Sequence, residues 1–72
     1  MKKLFNSSIF FLFDKTKRSI NIKNFIEKKF KTTSPSKCDL IIVIGGDGFM
    51  LSSLKSYNKH KKPFYGINAG SY

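Results

Sequence analysis

Apolar and polar positions fall in blocks along the chain. Ile9-Phe10-Phe11-Leu12-Phe13 is a short continuous apolar run, the pattern of a strand covered on both faces, as in parallel sheets. Asp14 to Arg18 is polar and turns the chain. From about Ser19 the spacing changes: Ile22, Phe25, Ile26 and Phe30 recur at helical intervals, with Lys23, Asn24, Glu27, Lys28 and Lys29 between them, which predicts an amphipathic helix. Lys31 to Lys37 carries Thr32, Thr33, Ser34, Pro35 and Ser36 and reads as a loop. Leu40-Ile41-Ile42-Val43-Ile44 is apolar throughout and rich in β-branched residues, as a central buried strand should be. It stops at Gly45-Gly46-Asp47-Gly48. A second helix is predicted from near Phe49, with Met50, Leu54 and Tyr57 on one face and Leu51 flanking it. Asn58 to Lys62 is a polar link. Pro63 opens a third strand through Phe64, Tyr65, Gly66 and Ile67, and Asn68 to Tyr72 forms a second glycine-bearing loop.

The order strand, helix, strand, helix, strand predicts an α/β fold: a Rossmann-like, three-layer arrangement with parallel strands joined by right-handed crossovers. With 72 residues the chain makes one small domain at most, and a domain of this size buries only about 60% of the surface its unfolded chain exposes. Small domains compensate with disulfides or a metal. The single cysteine, Cys38, allows no intramolecular disulfide, and no His/Cys cluster has metal-ligand spacing. Cys38 reads as a small packing residue before the central strand. The chain stops in a loop directly after a strand, and three parallel strands alone would leave open edges. The pattern therefore predicts the N-terminal α/β portion, residues 1–72, of a longer molecule.

Fourteen Lys and Arg against four Asp and Glu give a formal charge of +10. Such a balance is compatible with nucleic acid, anionic lipid or phosphorylated ligands. The cations are scattered from Lys2 to Lys62, however, and lysine is mostly solvated in any fold. The eight Phe interleave with lysines as single-strand stacking platforms do, but they occupy strand and helix-core positions, where packing accounts for them better. No specific nucleic-acid partner is expected. The longest apolar runs, Ile9 to Phe13 and Leu40 to Ile44, fall far short of the roughly 20 residues a membrane-spanning helix needs. Met1-Lys2-Lys3-Leu4-Phe5 faintly resembles a signal peptide, but Asn6, Ser7 and Ser8 interrupt it and no small-residue cleavage site follows. The expectation is a cytoplasmic protein with no membrane partner.

The chemistry lies in Gly45-Gly46-Asp47-Gly48. In open α/β sheets, ligands bind outside the carboxyl ends of the strands, which is where Asp47 stands. Glycines on either side permit backbone angles closed to other residues and close approach of a ligand to the main chain. The following helix N-terminus suits phosphate. A carboxylate in this setting can accept a proton from a ligand hydroxyl. The alternative is that Asp47 is a helix N-cap and the glycines merely make a tight turn. Gly66-Ile67-Asn68-Ala69-Gly70 would bring a second glycine-bearing loop beside the first, and two such loops at one edge favour a ligand site. His60, in the polar link, reads as a surface loop histidine.

The stretch from Asp39 to Leu51, centred on Gly45-Gly46-Asp47-Gly48, resembles the GGDG segment of NAD kinases. Lys62-Pro63-Phe64-Tyr65-Gly66-Ile67-Asn68-Ala69-Gly70-Ser71 resembles that family's second motif, Pro-x-x-Gly-x-Asn-x-Gly. Lipid kinases and phosphofructokinases share the GGDG-like loop but continue differently after the next strand. The resemblance implies transfer of the ATP γ-phosphoryl group (polyphosphate in some members) to the adenosine-ribose 2′-hydroxyl of NAD, giving NADP. Carried onto this chain, it makes Asp47 the catalytic base and places Asp47 and Gly48 on NAD. It puts Gly45, Gly46, Asn68 and Gly70 in the phosphate and nucleotide loops. It further implies Mg²⁺ with the donor, a homo-oligomer at full length, and a later Asn-Glu motif and C-terminal β-rich domain beyond Tyr72, without which the 72 residues would be inactive. Phe49 and Ser52 depart from members with Thr and Arg at those places. The rival readings are a GGDG-type lipid or sugar-phosphate kinase and a small basic nucleic-acid-binding protein.

Overall fold

The computed structural model describes residues 7–69. Strand β1 (Ser8–Phe13) leads into helix α1 (Lys17–Glu27), a two-residue strand β2 (Lys31–Thr32), strand β3 (Leu40–Gly45), helix α2 (Asp47–Tyr57), a 3-10 turn (Asn58–His60) and strand β4 (Phe64–Asn68). All pairings are parallel, in the order β2-β1-β3-β4. The α/β architecture with alternating helices matches the expectation from the apolar pattern.

Among the described residues the sheet has four strands instead of three, because part of the segment read as a loop is β2. Lys31 and Thr32 pair with Ser8 and Ile9, and Thr33 N donates to Ile9 O at 2.9 Å. A two-residue strand leaves too little pattern to read, and both its side chains are exposed. An exposed lysine on a short edge strand also discourages pairing with other chains.

This small strand shapes the whole domain. From β1 the chain moves outward to β2, then crosses back to β3 and continues the other way to β4. Right-handed crossovers on these opposite paths put the two helices on opposite faces of the sheet. On one face Ile9, Ile42, Ile44 and Ala69 are buried, with Ile22 and Phe30 from the α1 side packed on them. On the other, Cys38, Ile41 and Val43 are buried under Phe49, Met50 and Tyr57 from α2. Ile9, Ile41 and Ile44 are fully buried, and each contributes about 1.5–3 kcal/mol by leaving water. Cys38 is buried as expected, its thiol donating to Pro35 O at 3.3 Å.

Some expected core positions lie outside the core. Phe25 and Tyr65 are 65% and 60% exposed. Phe25 lies on the solvent side of α1, where Lys29 Nζ sits 5.1 Å from its ring centre. Tyr65 lies on the α1 side of β4, on the wall of an open groove. This apolar groove of about 540 Å³ is lined by Ile26, Phe30, Leu40, Ile42 and Ile67 among others. Leu51 and Leu54 are also exposed. The buried face of α2 runs through Met50, Ser53 and Tyr57; Ser53 is a small residue that lets the helix lie close to the sheet. Among the described residues, no helix is long and apolar enough to cross a membrane.

Candidate active site

The strand order reverses between β1 and β3, so the carboxyl ends of these two strands flank the topological switch point, where open α/β sheets hold their ligands. Two strand-to-helix turns meet at this edge. Phe13 pairs with Ile44, and Asp14 N donates to Ile44 O at 3.1 Å. The β3–α2 turn carries Gly45, Gly46 and Asp47.

Helix α2 begins at Asp47, two residues before the expected start. Gly46 is its N-cap in an extended conformation, with no side-chain cap, and Met50 N closes the first turn on Gly46 O at 2.9 Å. Asp47 is therefore the first helical residue and not the cap. Its carboxylate is exposed and reaches away from its own helix: Asn68 Nδ2 donates to Asp47 Oδ1 at 3.0 Å. The position next to the positive end of the helix dipole favours a negative charge there.

Asn68 ends β4. It pairs with Gly45, and Ala69 N donates to Gly45 O at 3.0 Å. The two glycine-bearing segments are thus locked together, as the sequence suggested. Gly66 is not in the loop, however. It lies within β4, and an added Cβ there would come 3.1 Å from Met50 Sδ, so it serves the packing of α2. Gly70 lies outside the described residues.

The glycines of the first loop act through space and not through unusual backbone angles, since no described glycine has positive φ. A Cβ on Gly45 would come 2.7 Å from Phe49 Cδ2 and 2.9 Å from Asp14 Oδ2, whereas one on Gly48 would meet nothing within 4 Å. Gly45 is enclosed by protein. Gly48 faces open space at the start of α2, where a ligand can approach the main chain.

Asp14 is the residue that pattern reading missed, because it looked like one more polar turn residue. Its carboxylate accepts from Thr16 N at 3.1 Å and Thr16 Oγ1 at 2.7 Å. Hydrogen bonding by Ser19, then by Thr16, with a lesser contribution from the Gly46 backbone, holds its carboxyl below the ordinary value against a small opposing effect of desolvation. The signal available was an Asp at the end of one strand in register with the loop ending the next. His60 stacks on Tyr57 with ring centres 5.9 Å apart, at the far end of α2 from Asp47. Among the described residues, no group of three or more His, Cys, Asp or Glu side chains could hold a metal ion.

A family model described as "ATP-NAD kinase N-terminal domain" matches residues 1–72. The chain is similar to the NAD kinase of Rickettsia canadensis (strain McKiel), 35% identical over 65 residues that make up 90% of this chain and 26% of that protein. It is similar to the NAD kinase of Brucella suis biovar 1 (strain 1330), 31% identical over 64 residues, 89% of this chain and 25% of that protein. The NAD kinase of Ectopseudomonas mendocina (strain ymp) is 56% identical over 34 residues, 47% of this chain and 12% of that protein. Over its two longer alignments the chain spans about a quarter of the length of the relatives it matches.

Proposed function

This chain belongs to the ATP-NAD kinase family, its residues 1–72 matching the family's N-terminal domain, and on that premise we propose that it supplies the proton-accepting edge of an enzyme that phosphorylates the 2′-hydroxyl of the NAD adenosine ribose. The observation that carries the reading is the exposed Asp47 carboxylate at the switch point of the sheet, beside the open flank of Gly48.

In the proposed reaction Asp47 accepts the proton of the 2′-hydroxyl. The oxygen forms a bond to the γ-phosphorus of ATP, the bond from that phosphorus to the β–γ bridging oxygen breaks, and ADP leaves. Such transfers depend on positioning and charge stabilisation far more than on covalent chemistry. Gly48 lets NAD approach the main chain, and the start of α2, which has no side-chain cap, offers its amides to a phosphate. Gly45 and Gly46 shape the turn, and Asn68 stands beside it at the end of β4. The described residues offer no three-carboxylate cage for Mg²⁺. Mg²⁺ typically binds through one or two carboxylates together with substrate phosphates, and in this reading it enters on the donor. The protein works in the cytoplasm, as a homo-oligomer at full length, in the synthesis of NADP. The matched stretch is about a quarter of the relatives' length, so the proposed activity is that of a whole enzyme containing this domain.

The test is Asp47→Asn in a complete enzyme that contains this domain. Asn preserves size and can still accept a hydrogen bond, but it is no base at neutral pH. The expected loss in kcat is about 10²–10⁴-fold, the usual contribution of a positioned base. Near-normal kcat in a folded variant would place the base elsewhere.

A further inference from the structure

We propose that Asn68 is a positioning residue that aims the Asp47 carboxylate, a role distinct from contact with the nucleotide; the inference rests on the reading of Asp47 as the base. Asp47 is the first residue of α2 and is exposed. Left to itself, its side chain would sample several rotamers in water. The hydrogen bond from Asn68 Nδ2 to Oδ1, at 3.0 Å and across 21 positions of sequence, fixes it from the neighbouring strand. The donor is itself held: Asn68 pairs with Gly45, and Ala69 N bonds Gly45 O at 3.0 Å. The base is therefore tied to the end of the sheet and not to its own helix.

The chemistry selects the side chain. An ionised carboxylate only accepts hydrogen bonds, so its partner must be a donor, and the amide nitrogen of Asn is one without carrying charge. A lysine would pair with the carboxylate and favour its charged form, opposing uptake of a proton. A neutral donor on Oδ1 orients the group and leaves Oδ2 to face a ligand hydroxyl. Because a misplacement of about 1 Å can cost about 10²-fold in rate, fixing one oxygen has a measurable consequence.

The experiment compares Asn68→Ala and Asn68→Asp with Asp47→Asn in a complete enzyme containing the domain, reading kcat, KM for NAD, the pH profile of kcat and the melting temperature. In Asn68→Ala, kcat should fall about 10- to 100-fold with a smaller change in KM. In Asn68→Asp, two carboxylates would stand within hydrogen-bond distance and could not both ionise freely, so the acid limb of the profile should move to higher pH. A merely structural role would lower the melting temperature but leave the profile where it was. If Asp47→Asn is inactive while Asn68→Ala keeps its kcat, or Asn68→Asp keeps its pH profile, the positioning role is wrong and the base assignment stands. If Asp47→Asn is active, the base assignment itself fails and the proposal falls with it.

Discussion

The two strand-to-helix turns at the carboxyl edge are neighbours with opposite characters. Each ends a six-residue strand and starts an eleven-residue helix. The β1–α1 turn closes on itself. Thr16 caps α1 by accepting from Ser19 N at 3.2 Å, and Asp14 in turn accepts from both Thr16 N and Thr16 Oγ1. The β3–α2 turn does the reverse: its cap is Gly46, with no side chain to offer, and the nearby carboxylate turns away to Asn68. A helix start with only a structural task satisfies its amides with its own side chains. The start of α2 forgoes that local stabilisation and leaves its first turn without a side-chain cap. The turn with the more hydrogen bonds is thus the less suited to binding one.

Exchanging glycines for alanines is the sharpest way to break this comparison. Gly48→Ala should fold normally, since the added methyl meets nothing, and should stabilise α2 by up to about 0.5–1 kcal/mol as Gly→Ala replacements in helices do. The same methyl should block close approach of NAD and raise its KM about tenfold or more, equivalent to about 1.4 kcal/mol of binding. Gly45→Ala should behave oppositely, losing about 1–3 kcal/mol of stability from overpacking against Phe49 and Asp14. Thermal unfolding and NAD titration of the two variants read both effects. An unchanged KM in Gly48→Ala would mean that no ligand approaches that side of the loop.

Thr16→Ala should cost about 1 kcal/mol of stability, the ordinary value of a lost N-cap, with kcat and KM close to those of the parent. A matching fall in kcat would mean that the first turn takes part in the site after all. The melting temperature measured beside the steady-state constants separates these outcomes.

The smallest expected effect is a pH dependence. The Asp14 carboxyl is held below its ordinary value, first by Ser19 and then by Thr16. A group whose folded pKa is depressed stabilises the fold above its unfolded pKa and loses that contribution as pH falls through the folded pKa. The gap in melting temperature between the parent and Asp14→Asn should therefore be widest at neutral pH and should narrow in acid, below the usual carboxylate range. A gap that stays constant through the acid range would show that Asp14 acts by its shape and not by its charge.

Much of this was written in the order of residues. The β-branched run Leu40 to Ile44 and the apolar run Ile9 to Phe13 became β3 and β1 almost residue for residue, because a strand covered on both faces needs apolar side chains on both. The turn between β3 and α2 fell where Gly45 and Gly46 end the apolar run, with Asp47 exposed at the start of the helix. The tertiary structure decided three further matters. Phe25 and Tyr65 are as apolar as the core residues, but what covers each position depends on where the helices cross the sheet. Asp14 came to lie beside Gly45 because a partner strand in register brought it there. Lys31 and Thr32, too few to show a period, formed the edge strand that reverses the sheet order, sends the helices to opposite faces and so opens the switch point at Asp47. Local spacing fixes where the longer elements form. The pairing of distant strands fixes which of their ends meet, and that information does not lie in any one segment.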